Sequence, residues 1–86
     1  MKVEIYTKVG DCAFCTRAKM LLTQKMNLDY QEFPVVMEDP EERKALTEKF
    51  NLPSDKITVP QIVIDGNHIG GYDNLYEWYK ERQDQF

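Results

Sequence analysis

The opening of this chain changes period twice. "KVEIY" (2–6) alternates apolar and polar residues, with Val3 and Ile5 on one side, the period-2 pattern of a half-buried strand. From Cys12 to about Met26 the period becomes helical, with Phe14, Ala18, Leu21, Leu22 and Met26 in one stripe. "LDYQEFPVV" (28–36) returns to strand character, interrupted or ended by Pro34. A strand–helix–strand opening implies a parallel pair joined by a right-handed crossover.

The remaining pattern completes a small sheet. "DPEERKALTEKFNLP" (39–53) is a marked helix: Asp39 stands at the cap, Pro40 at the first helical position and Glu42 three residues after Asp39. Ala45, Leu46 and Phe50 are expected to face inward, and Pro53 to stop the helix. "QIVID" (61–65) and "NHIGG" (67–71) form a hairpin around Asp65-Gly66. A last helix is expected from about Asn74 to Gln83, burying Leu75, Trp78 and Tyr79, with His68 on the hairpin side. The order is β-α-β-α-β-β-α, an α/β mixed sheet of four strands with three flanking helices. There is no internal repeat, low-complexity tract or linker, so residues 1–86 read as a single domain. A chain of this size buries roughly 60–65% of its unfolded surface, enough for one modest core.

Charge narrows the function classes. A net charge of -4 argues against a general nucleic-acid binder, which carries a basic face, and gives no attraction to anionic lipid. No apolar run approaches the roughly 18 residues of a membrane span. The start, "MKVEIY", lacks the apolar core of a signal peptide. Two cysteines in 86 residues are too few for a secreted disulfide scaffold. The expected home is a reducing cytoplasm.

Both cysteines lie in "CAFC" (12–15), where the loop after the first strand becomes the first helix. A close pair suits a structural clip, part of a zinc site or a redox centre. A structural bridge here closes a very short loop and constrains the unfolded chain little. A zinc site wants four ligands, against two cysteines and the lone His68. A loop-to-helix junction is a poor place to hide inert thiols. The redox reading fits the location, because the free N–H groups and dipole of a helix start favour a thiolate at Cys12. Cys15, one turn on, is in reach to close a disulfide. Lys8 favours that thiolate; Asp11 opposes it unless it caps the helix instead.

With these residues the chain resembles the glutaredoxins of the thioredoxin-like superfamily, in particular the small bacterial and phage-type dithiol members. The likeness spans nearly all of the chain and rests on three stretches in order: "CAFC", "TVP" (58–60) before the third strand and "GGYDN" (70–74) after the fourth. The resemblance implies a strand order 2-1-3-4, with the first and third helices on one face and the second on the other. It also implies a cis Val59-Pro60 bond and a glutathione-dependent dithiol–disulfide oxidoreductase with Cys12 as nucleophile and Cys15 as resolving thiol. Implied partners are glutathione as reductant and disulfide-containing or glutathionylated proteins, ribonucleotide reductase among them. The protein is expected to be a monomer and to need no metal.

Glutathione carries two carboxylates and one amine. Val59, between Thr58 and Pro60, can offer backbone hydrogen bonds to its cysteinyl part. Gly70 and Gly71 allow close backbone approach. Asp73 and Asn74 open a helix whose N–H groups suit a carboxylate, and the Asp73 side chain suits the ammonium. Simple capping by Asn74 with Glu77 is the competing reading. Phe14 and Tyr72 are expected to flank the groove, and Lys8, with Arg43 or Lys49, to meet the glycyl carboxylate. Between the cysteines the family most often has proline and tyrosine, and this chain has Ala13 and Phe14. Two alternatives remain: a [2Fe–2S] carrier, which the loss of that proline favours, and a redoxin recycled by thioredoxin reductase, against which Gly70, Gly71 and Asp73 speak.

Overall fold

A computed structural model describes residues 1–53 and 57–86. Strand β1 runs Val3–Lys8, helix α1 Ala13–Met20 and strand β2 Gln31–Val35. Helix α2 follows at Pro40–Phe50, then strands β3 (Gln61–Ile64) and β4 (Asn67–Gly70) and helix α3 (Tyr72–Lys80). The sheet order is β2-β1-β3-β4, with β1 and β2 parallel and the other pairs antiparallel. This is the expected thioredoxin-like order.

The two faces of the sheet follow from strand alternation. Val3 and Ile5 join Ile62 and Ile64 on one face, packed on Ala18, Leu22 and Met26 of the first helical segment and on Leu75 of α3. Ile5, Leu22, Ile62 and Leu75 have no exposed surface. Truncating one of these to alanine is the kind of change that costs about 2–5 kcal/mol. On the opposite face Tyr6 stacks on Phe33 at 4.9 Å and meets the edge of Phe50 from α2 at 5.1 Å. So α1 and α3 share one face and α2 covers the other.

Several boundaries differ from the sequence reading. β1 is longer than expected and takes in Lys8, because β2 pairs with it as far as Lys8 opposite Val35. The predicted helix to Met26 ends in a π turn, Leu21–Lys25, in which Met26 N–H reaches back to Leu21 O at 3.1 Å. Phe14 is not in the core stripe: it is 52% exposed, and Cys15, at 3%, starts the buried row. Pro34 lies within β2, an outermost strand of the sheet. Asp39 caps α2 by accepting from Glu41 N–H at 2.9 Å, with Pro40 at the first position. Glu42 does not reach back to Asp39; its carboxylate accepts from Val36 N–H at 3.1 Å. Leu46 is buried but Ala45 is exposed. Asn51, left-handed at φ 53°, ends α2 two residues before Pro53.

The hairpin turns on Asp65 (φ 50°) and Gly66 (φ 81°), the two left-handed residues of a type I′ turn. β4 then carries a bulge at Ile69, because Ile62 pairs with Gly70 while Val63 pairs with His68. α3 starts at Tyr72, earlier than expected, and leaves Trp78 and Tyr79 half-buried.

Candidate active site

α1 begins at Cys12. Its backbone is extended (φ -152°, ψ 97°), and its sulfur accepts from Cys15 N–H at 3.2 Å. Sulfur thus occupies the place where Ser or Asp usually caps a helix. Asp11 does not cap. The pair is joined as a disulfide, with Cα atoms 5.2 Å apart. Cys12 is half-exposed and Cys15 buried, so an incoming thiol or disulfide meets Cys12. On reduction, the N–H aimed at Cys12 favours a thiolate there. Ala13 is the first helical residue.

Beside this helix start lies an open groove of about 460 Å3. Phe14 forms one wall, Thr58, Val59 and Pro60 another, and Gly71, Tyr72, Asp73 and Asn74 a third. The Val59-Pro60 bond is cis. Nine residues singled out in the sequence, Gly70 among them, therefore meet in one hollow. Lys8 does not line it, being at the end of β1. Lys49 lies instead over the rings of Tyr6 and Phe50, at 5.6 and 5.9 Å. Arg43 lines a separate hollow on α2.

The far wall is the start of α3. Its cap position is Gly71, which has no side chain, and Asn74 turns back to accept from Gly71 N–H at 3.1 Å. Asn74 is thus three residues inside the cap, not the cap itself, and Glu77 takes no part. Among the described residues no side chain accepts from the first-turn N–H groups of α3. Those donors stay available to a ligand carboxylate. Gly70 has φ +120°, and a Cβ there would lie 2.6 Å from Asn74 Oδ1. Only glycine fits that bend into the helix.

Three groove residues escaped the sequence reading: Leu52, Gln61 and His68. Gln61 is 3% exposed. Its Nε2 donates to Thr58 O at 2.9 Å and lies 3.3 Å from Thr58 Oγ1. A carbonyl needs a donor, so Oε1 is left to face His68 Nε2 at 2.7 Å and must accept from it. His68 therefore keeps a proton on Nε2. Its ring also stacks on Phe50 at 4.4 Å, and the loss of water there pushes its pKa below the ordinary 6.5. One signal was readable: Gln61 is the polar member of the otherwise apolar run "QIVI".

A mixed sheet with a Cys-x-x-Cys disulfide at its first helix start defines a thioredoxin-like thiol–disulfide redox domain. The family model for glutaredoxin matches residues 3–69. Glutaredoxin 3 of Escherichia coli is 46% identical over 74 residues, covering 86% of this chain and 81% of that protein. Glutaredoxin 1 of Rickettsia bellii is 44% identical over 77 residues, covering 90% of this chain and 76% of that one. Among solved structures, glutaredoxin 1 from Francisella tularensis, complexed with cacodylate, superposes with a TM-score of 0.74 at 32% identity, covering 96% of both chains. The chain belongs to the glutaredoxin family, and that family is one of thiol–disulfide oxidoreductases.

Proposed function

We propose that the protein is a glutathione-dependent dithiol oxidoreductase, acting as one monomeric domain, residues 1–86, in the cytoplasm. The observation that carries this reading is the groove beside Cys12, which joins the backbone of Val59 to the open start of α3. Glutathione matches it: the Val59 backbone faces the cysteinyl peptide groups, the α3 N–H groups take one carboxylate, and Asp73 meets the ammonium. Lys8 lies outside the groove lining at the end of β1; its place four residues before Cys12 is the ground for assigning it to the other carboxylate.

The cycle balances as follows. The Cys12 thiolate attacks one sulfur of a substrate disulfide; a Cys12–substrate bond forms, and the second substrate sulfur leaves as a thiolate and takes a proton. Cys15 then attacks Cys12 Sγ, releasing the first substrate sulfur and forming the Cys12–Cys15 bond. One glutathione thiolate attacks Cys12 Sγ and expels Cys15. A second attacks the bound glutathione sulfur and expels Cys12. One substrate disulfide is reduced and two glutathiones become one glutathione disulfide. With a glutathionylated substrate, Cys12 takes the glutathionyl group directly and Cys15 is not required.

A coupled assay tests this, with glutathione, glutathione reductase, NADPH and a small glutathione mixed disulfide. NADPH consumption that depends on the protein is expected. Turnover supported by thioredoxin reductase but not by glutathione would overturn the reading.

A further inference from the structure

A second hollow, about 420 Å3, lies between α3 and the first helical segment, α1 with its π turn. Arg17, Met20 and Lys25 form its first-helix side, and Tyr72, Tyr76 and Tyr79 its α3 side. Tyr72 is the wall between this hollow and the groove beside Cys12. The aromatic row is continuous: Phe14 to Tyr72 is 6.2 Å, Tyr72 to Tyr76 6.3 Å and Tyr76 to Tyr79 6.5 Å. Met20 and Tyr76 are exposed apolar surface at 48% and 41%.

The charges here oppose those of the chain as a whole. The protein carries -4, yet no acidic residue is among the described residues lining this hollow, while Arg17 and Lys25 are. Lys80 adds a third cation, with its Nζ 5.6 Å over the Tyr76 ring. Asp73 and Glu77 follow Tyr72 and Tyr76 by one residue, which turns them about 100° round the helix. An exposed apolar floor with a basic rim fits a segment that brings an apolar anchor flanked by carboxylates.

We propose that this hollow docks an acidic segment of the protein substrate, carrying Asp or Glu around one apolar or aromatic residue, close in sequence to the cysteine that Cys12 attacks. The proposal rests on the oxidoreductase reading for its purpose and names a class of protein substrate. Small disulfides in the groove meet only the near side of Tyr72 and not Arg17 or Lys25, which line the hollow alone, so the hollow selects among proteins and leaves the chemistry unchanged.

Two peptide disulfides of equal length test it, one with an acidic and one with a neutral segment beside the cysteine. The parent protein should reduce the acidic peptide about fivefold more efficiently in kcat/KM, less so at high salt. R17E and K25E should each remove that preference and leave the small glutathione mixed disulfide reduced as before. A preference that is absent in the parent, or that survives in both variants, overturns the docking site even if the small disulfide is turned over normally. A redox-free measurement separates the two readings: a cysteine-free acidic peptide titrated onto the oxidised protein should shift the backbone amide signals of Met20, Lys25 and Tyr76. Shifts without glutathione turnover uphold the docking site and sink the oxidoreductase reading. No shifts at these residues overturn the docking site.

Discussion

Helices α2 and α3 start in opposite ways. At α2 the chain closes the end with its own side chains: Asp39 accepts from Glu41 N–H, Pro40 brings no donor, and Glu42 holds the preceding loop at Val36. At α3 the cap is a glycine, and Asn74 reaches back to Gly71 without covering the first-turn donors. α1 lies between the two cases, since its cap is the Cys12 sulfur itself. A helix end completed by its own side chains serves stability. One left open, or closed by a reactive atom, keeps its N–H groups and dipole for chemistry.

The largest expected effect comes from separating cap from chemistry at α1. Cys12→Ser keeps a good cap, so folding should persist while all thiol exchange falls to background. Cys15→Ser should retain reduction of glutathione mixed disulfides, measured in the coupled assay. Equal loss in both variants on that substrate breaks the assignment of roles.

Closing the α3 start should come next. In Gly71→Asp the new Cβ meets Pro60 O at an ordinary 3.5 Å, and a cap of the α2 kind is installed. The melting temperature should hold or rise. KM for the glutathionylated substrate should rise about tenfold, equal to about 1.4 kcal/mol, because an own carboxylate takes the ligand's place. An unchanged KM would show that α3 holds no carboxylate.

The converse change, Asp39→Ala, should cost about 1 kcal/mol of stability in a denaturant titration, with kcat/KM untouched. A loss of activity without a loss of stability would make α2 more than a scaffold.

The smallest effect lies away from any helix start. Glu32 accepts from Thr7 Oγ1 at 2.7 Å and pairs with Lys19 at 3.0 Å. The Thr7 hydrogen bond first, then Lys19, holds its pKa below the ordinary 4.5. The folded value is thus the lower one, so this stabilisation is present above 4.5 and is lost as pH falls through the folded value. The pair is about a third exposed, which limits the effect to under about 1 kcal/mol. Glu32→Gln should flatten that acid limb in unfolding midpoints measured against pH, and an unchanged limb would remove Glu32 as its source.

The contrast between α2 and α3 also explains what could be read from sequence. Asp39 and Pro40 use side-chain signals, so the start of α2 was legible. α3 begins at a glycine that caps without a side chain, and Asn74 invited a start two residues late. Asp65-Gly66 announced the hairpin because only left-handed residues make that turn. The π turn at Leu21–Lys25 left the apolar stripe unchanged and so gave no warning. Phe14 fits the helical stripe by spacing, yet it is exposed beside the groove, and period cannot report where a core ends. The Gln61–His68 contact joins residues seven apart across a bulged hairpin, a pairing that depends on register.

Pro34 has a consequence for encounters between copies of the chain. Val35 O accepts from Val9 N–H at 3.0 Å, so Val35 turns its backbone groups toward β1 and Pro34 turns its own outward. The missing N–H therefore falls in the free row at the rim of β2, and an approaching foreign strand finds a gap in the ladder it needs. Exposed rims of this kind template amyloid-like stacking, and a proline in the outer row is one of the simplest guards against it.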